Sequence, residues 1–190
     1  PDLSPAARED VKQVLAIADD LIETFHALLR IAQIEAGQRS GRFAATPLAP
    51  ILARIEDAYG AVAEENRQTL LFAVKDRDVT VQGDQQLLTQ MIANLVENAL
   101  RHCPAGTRIE VILHKANGRA RLEILDNGPG IPARERDKVF GRFYRREKSR
   151  TTPGNGLGLS MARAIAELHG ATVQLEDNHP GLRVLVQFRG

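Results

Sequence analysis

One cysteine, Cys103, stands in 190 residues. It cannot form an internal disulfide, which removes the disulfide-stapled folds and suits a reducing compartment. No run of 18 apolar residues occurs and no signal peptide is visible, so the chain is expected to be soluble. It begins close to a helical segment, which also fits a piece cut from a membrane protein. The formal net charge is only +1, and overall charge therefore points to no nucleic-acid partner. Internal repeats and low-complexity tracts are absent too. What remains is 43% hydrophobic and 26% charged, enough for one core plus an appendage.

The appendage is the N-terminal stretch. Val11, Val14, Ala18, Leu21, Phe25, Leu28 and Ala32 recur at steps of three and four, and Leu15, Ile22 and Leu29 widen the stripe. This is the pattern of a bundle helix, about 27 residues and roughly 40 Å long. Ser4-Pro5 suits its start and Gly37 its stop. One such helix cannot bury its own stripe. We expect a dimeric helical bundle with a missing partner helix; the alternative is a helix folded back on its own domain. Gln38–Pro50 reads as a linker because of Gly41, Pro47 and Pro50.

A helix is then expected over Leu48–Asn66 and two short strands over Thr69–Val81, around Asp76. Asp84 looks like the N-cap of a helix over Gln85–His102. Arg108–Lys115 and Arg119–Leu125 read as strands joined at Asn117-Gly118, a strong hairpin signal. A helix over Leu157–His169 stops at Gly170, and strands over Ala171–Leu175 and Leu182–Phe188 close the chain. The class is α+β, a two-layer sandwich of one mixed β-sheet and helices preceded by one long bundle helix.

Three motifs stand in order. In the first, Asn94-Leu-Val-Glu-Asn98, the residues Asn94, Asn98 and Arg101 share a helix face opposite Leu88, Met91, Ile92, Leu95, Val96 and Ala99. Glu97 borders that face. Magnesium takes hard oxygen ligands, which an amide supplies without added charge, and Arg101 suits phosphate oxygens. The bland reading is that both amides cap or cross-link buried backbone. In the second, Asp126-Asn-Gly-Pro-Gly-Ile-Pro132, a carboxylate at a strand end can accept a proton from an amino group such as that of adenine. Its glycines let backbone approach closely, though the run is also rich in ordinary turn formers. In the third, Gly154-Asn-Gly-Leu-Gly-Leu159, glycines open the amides of a helix N-terminus to an anion. It is neither a dinucleotide fingerprint nor a P-loop, and a flexible lid hinge is compatible with the same residues. Between the last two lies Val139-Phe140-Gly-Arg142-Phe143-Tyr144-Arg145-Arg146. Phe140 and Phe143 are expected to anchor it to the core. Its arginines suit phosphate, while Arg146, Lys148 and Arg150 also read as a solvated basic loop. Each motif alone is weak; the ordered set describes a pocket for ATP and its magnesium.

Here the sequence resembles the ATP-binding catalytic domain of sensor histidine kinases, in the wider superfamily of gyrase, heat-shock chaperone and mismatch-repair ATPases. The resemblance implies a Bergerat-type ATP-binding fold over residues 45–190. Residues 1–44 would be a partial dimerisation and phosphotransfer domain, its second helix ending Leu28-Leu-Arg-Ile-Ala-Gln-Ile-Glu-Ala-Gly37. It implies that Asn98 binds Mg2+ with Asn94 one turn away, that Arg101 contacts phosphate, and that His102 packs by the adenine. Asp126 would hydrogen-bond the adenine amino group, with Gly128, Gly130 and Ile131 shaping that wall. Phe140, Phe143 and Tyr144 would fix the base of a lid and Arg145 approach the terminal phosphate. Gly154, Asn155, Gly156, Leu157, Gly158 and Leu159 would form the hinge on the phosphate side. Asn94, Glu97 and Arg145 make up the implied catalytic group.

The family's acceptor box, His-Glu/Asp-Leu-Arg-x-Pro, has no counterpart here. His26 is followed by Ala-Leu-Leu, His114 and His169 fall in a strand and at a helix end, and His179 precedes Pro180. The chain is thus expected to lack its own phosphorylation site. The implied partners are a response-regulator receiver domain and a second copy of the chain. The implied location is cytoplasmic, with the intact protein anchored in the bacterial inner membrane. Two rivals remain: a gyrase-type hydrolase, which carries glutamate where Asn94 stands, and a nucleotide-binding dimerisation module. An amide at position 94 cannot act as a base; Glu97 could substitute only by pointing at the terminal phosphate.

Overall fold

The computed structural model describes residues 5–35, 43–145 and 155–189. The helix α1 spans Pro5–Glu35. It is followed by β1 (Ala44–Pro47), α2 (Ala49–Glu65), β2 (Thr69–Val74), β3 (Thr80–Gly83) and α3 (Gln85–His102). Next come β4 (Arg108–Ala116), β5 (Arg119–Asp126), the single turn α4 (Ala133–Arg136) and a 3-10 turn at Lys138–Phe140. The chain closes with α5 (Gly158–Leu168), β6 (Ala171–Asp177) and β7 (Leu182–Phe188).

Five strands form one mixed sheet in the order β2-β4-β5-β7-β6. The β4–β5 hairpin turns at Asn117 (φ 52°) and Gly118 (φ 75°), the doubly left-handed geometry that Asn-Gly favours. Its register sets Val111 opposite Ile124 and Leu113 opposite Leu122. The next pairing sets Leu122 opposite Val186 and Ile124 opposite Val184. All six side chains are buried, so alternate residues of three strands supply one face of the core. β2 runs parallel to β4, which requires a crossover, and α3 lies within it. The core combines this sheet face with Ile51, Leu52 and Ile55 of α2, Leu88, Met91, Ile92 and Leu95 of α3, and Met161, Ala162 and Ile165 of α5. The expected α+β sandwich of a mixed sheet and helices is the observed architecture.

One detail differs from the sequence reading. The expected linker at 38–50 contains β1, which pairs antiparallel with β3 from Ala44↔Gly83 to Pro47↔Thr80. β3 therefore belongs to this separate two-stranded sheet. Pro47 lies at the last position of β1, where its missing N–H breaks little of the ladder. Thr46 is buried and its hydroxyl donates to the Gly83 carbonyl at 2.9 Å.

The helix α1 is held by its C-terminal end. Its stripe does not cover the core: Val14, Leu15, Leu21, Ile22 and Phe25 are exposed. The helix docks instead by its last two turns. Ile31 and Ile34 are buried, with Ala27 and Leu28 packed beside them, and α1 lies against α5. Arg30 donates to Gln90 of α3 at 2.8 Å. The proposed helix boundaries Ser4 and Gly37 fall outside the described residues. No helix among the described residues is long and apolar enough to cross a membrane.

Candidate nucleotide site

α3 is the spine of the site. Asp84 caps it, accepting the Gln86 N–H at 2.8 Å and the Leu87 N–H at 3.2 Å. Its apolar side is buried, while Asn94, Glu97 and Asn98 are half-buried on another side. Among the described residues, no hydrogen bond occupies the side-chain amide of Asn94 or Asn98. The bland reading of those amides as cross-links to backbone is therefore not what is seen. Glu97 instead pairs with Arg101 one turn on. Tyr59 of α2 shares this neighbourhood: burial raises its phenol pKa, the Glu97 charge adds to the rise and Arg101 opposes it. His102 is exposed at the helix end. The C-terminus is clamped by buried Gln68, whose amide donates to the carbonyls of Leu100 (3.0 Å) and Cys103 (2.6 Å). Those carbonyls lack partners within the helix.

Asp126 ends β5 and is buried. Its Oδ1 accepts the Gly128 N–H at 2.9 Å and the Leu182 N–H at 3.2 Å. Cys103, just beyond α3, places its thiol against this carboxylate. Burial first, then the Asp126 charge and a hydrogen bond to it, push the thiol up to about 12. The second motif is thus fastened beside the C-terminal end of the first. Asn127 closes the same corner, its Oδ1 accepting the Arg108 N–H at 2.7 Å.

The lid base follows. Gly130 and Ile131 lead into α4, and Arg136 donates to the Ile131 carbonyl at 2.9 Å. Val139 is buried, and Phe140 packs on the core with the Arg163 guanidinium 5.3 Å above its ring, a cation–π arrangement. Phe143 does not anchor this segment as expected: it is 54% exposed, with φ at 61°. Val139, Phe140 and half-buried Tyr144 hold the core instead. Gly154 lies outside the described residues, as do Arg146, Lys148 and Arg150.

On the far side, the Asn155 side chain accepts the Leu157 N–H at 3.2 Å. Gly156 has φ of 67°, and a Cβ there would stand 3.0 Å from the Tyr144 carbonyl oxygen. Residues 144–145 and 156 are therefore adjacent. Leu157 and Leu159 are buried. Gly158 opens α5, and a Cβ on it would meet nothing within 4 Å among the described residues. α5 packs along α3, so the three motifs gather around one helix.

No group of three His, Cys, Asp or Glu able to hold a metal occurs among the described residues. A cation here would rely on amide oxygen, phosphate and water, the donor set that magnesium accepts. Asn98 and Asn94 fit that requirement.

Residues 83–189 match the family described as histidine kinase-, DNA gyrase B- and HSP90-like ATPase. The chain belongs to this ATPase family. Among curated relatives of this ATPase domain, the sensor protein DivL of Caulobacter vibrioides is 32% identical over 179 residues, 94% of this chain and 23% of that protein. The histidine-protein kinase/phosphatase MprB of Mycobacterium tuberculosis is 40% identical over 116 residues, 60% of this chain and 23% of that protein. The chain thus spans about a quarter of the length of both relatives. Among solved structures, the mycobacterial sensor histidine kinase MprB superposes with a TM-score of 0.65 at 27% identity, over 77% of this chain and 96% of that one. Full-length ShkA in complex with AMPPNP gives a TM-score of 0.83 at 22% identity, over 99% of this chain and 40% of that one.

Tyr59, Gln68, Cys103 and Arg136 join the site without a sequence signal. Tyr59, Gln68 and Cys103 are distant in the chain from the motifs they touch, Arg136 lies only five residues from Ile131, and none belongs to a recognisable spacing.

Proposed function

We propose that residues 45–190 bind Mg·ATP and transfer its γ-phosphoryl group to a histidine on a separate helix, as the catalytic domain of a sensor histidine kinase. Residues 1–44 are read as part of a dimerisation and phosphotransfer domain whose second copy covers the exposed α1 stripe. The fold neighbour ThkA is solved in complex with the response regulator protein TrrA. A receiver domain is the partner proposed for this chain, its aspartate taking the phosphoryl group from the histidine, on the cytoplasmic side of a membrane-anchored protein.

In this reading Asp126 accepts a hydrogen bond from the adenine amino group, and Gly128, Gly130, Ile131 and His102 border the base. The first-turn amides of α5, with Gly154, Asn155, Gly156, Leu157, Gly158 and Leu159, receive the phosphates. Arg101 and Arg145 approach phosphate oxygens, with Phe140, Phe143 and Tyr144 at the lid base. Asn98 would hold Mg2+ with Asn94 beside it, and the ion would supply charge to neutralise the phosphates. Transfer then depends on orientation, which lid residues supply by holding the terminal phosphate in line and excluding water.

The observation that carries kinase over hydrolase is the pair at 94 and 97. Position 94 is an amide, and the Glu97 carboxylate is engaged by Arg101, so neither offers a free base to water. The test is incubation with Mg2+ and ATP labelled at the terminal phosphate, counting bound nucleotide, released phosphate and protein-attached label. Binding with almost no release, and label appearing on an added acceptor-helix domain, is the expected result. Sustained phosphate release abolished by Glu97→Gln would support the gyrase-type reading instead.

A further inference from the structure

Asp126 is held from behind by a loop that none of the three motifs includes. The β6–β7 connection, Asp177 to Gly181, lies more than fifty residues further along the chain. Asn178 donates its side-chain N–H to the Asp126 backbone carbonyl at 2.8 Å. Its own backbone N–H donates to the Gly181 carbonyl at 3.2 Å, closing the loop. Gly181 is buried with φ of 111°, and a Cβ on it would collide with the Asp126 carbonyl. The next residue, Leu182, donates its N–H to Asp126 Oδ1. One short loop thus grips both the backbone and the carboxylate of Asp126. It also reaches the lid base: Arg136 bridges the Ile131 carbonyl and, at 3.1 Å, the Asp177 carboxylate.

We infer that Asn178 and Gly181 are positioning residues for base recognition, setting the carboxylate of Asp126 for the exocyclic amino group of adenine. The inference rests on the ATP-binding reading above. With Oδ1 committed to two backbone amides, the orientation of the carboxylate is fixed. A carboxylate aimed by two external bonds discriminates geometrically; one free to rotate does not. Asn178 touches no nucleotide in this arrangement and acts only through Asp126. Its loss therefore weakens recognition of the amino group and leaves phosphate binding intact.

The experiment compares ATP with ITP, which carries a carbonyl oxygen where adenine carries its amino group. Dissociation constants are measured with Mg2+ by calorimetry on the full chain, on Asp126→Asn, on Asn178→Ala and on the near-isosteric Asn178→Asp, which cannot donate. Asn178→Ala is expected to lose roughly fivefold to tenfold in ATP affinity, the scale of one hydrogen bond, with ITP affinity within about twofold of the parent. In the Asp126→Asn background the same change is expected to cost little, because its effect passes through Asp126. If Asn178→Ala does not fold, Asn178→Asp carries the same expectation. An unchanged ATP-to-ITP ratio in a folded Asn178 variant overturns the inference. So does equal weakening of both nucleotides, which marks a merely structural loop. A parent chain that binds neither nucleotide sinks the ATP reading itself, which is a separate outcome.

Discussion

Cys103 and Asp126 meet beyond the C-terminal end of α3, and the carboxylate alters the thiol. The thiol, raised to about 12 by burial and then by the neighbouring carboxylate, stays protonated at neutral pH and is a poor nucleophile. Iodoacetamide at pH 8 is therefore expected to modify Cys103 far more slowly than a free cysteine peptide. Asp126→Asn removes the charge but not the burial, so labelling speeds up yet stays below the peptide rate. Mass spectrometry of the labelled chain reads both. Unhindered labelling of the parent would contradict the buried pair. The cysteine is the rarest residue that sequence composition flags, yet its role depends on Asp126 lying beside it. That contact follows from α3 ending next to the end of β5, and no local pattern in the chain announces it. The same holds for Gln68, which closes the C-terminus of α3 from 32 residues away.

Among the elements, α5 is tied down at its far end by His169. The Nε2 of this ring accepts the Asp84 N–H at 3.0 Å, and Nδ1 lies 2.7 Å from the Ile165 carbonyl. Phe43 stacks on it at 4.7 Å between ring centroids. The ring is thus neutral, with its proton on Nδ1. Burial lowers its pKa, against the opposing pull of the Ile165 carbonyl and the Asp84 charge. Because the folded value lies below the unfolded one, the stabilisation is complete above about pH 6.5. It is lost as pH falls through the folded value. The thermal midpoint is expected to drop on acidification below that range. His169→Gln should flatten this part of the profile, and His169→Ala should cost about 1–3 kcal/mol at pH 7.5. A profile unaltered by His169→Gln would remove the ring from this role. The elements themselves were largely legible: α3 from its apolar spacing and Asp84 cap, the β4–β5 hairpin from Asn117-Gly118. β1 was hidden because Pro47 and Pro50 signal a break, whereas the strand is four residues long and ends at the first of them. Phe143 departs from the expectation because aromatic character favours burial in general, while exposure is decided by the path of the chain around it.

For the molecule as a whole, the exposed stripe of α1 is the main unpartnered surface among the described residues, with Leu21 64% and Phe25 59% exposed. Its periodicity was plain in the sequence; the buried Ile31 and Ile34 that dock the helix were not, since they sit off the stripe. Sedimentation is expected to report a concentration-dependent dimer for the parent and a monomer for Leu21→Glu/Phe25→Glu. ATP affinity should stay within about twofold, because neither residue reaches the nucleotide site. A parent monomeric at high concentration, or a dimer indifferent to both charges, would reject the stripe as the interface. The way α1 is held has a mechanical side. Among the described side chains of α1, those packed on the fold lie between Ala27 and Ile34, so a rod is clamped at one end. From Leu28 back to Val11 the rod runs about 25 Å. A tilt of about 10° at the clamp sweeps its far end through roughly 4 Å on that length. The helix is a lever whose pivot rests on α5.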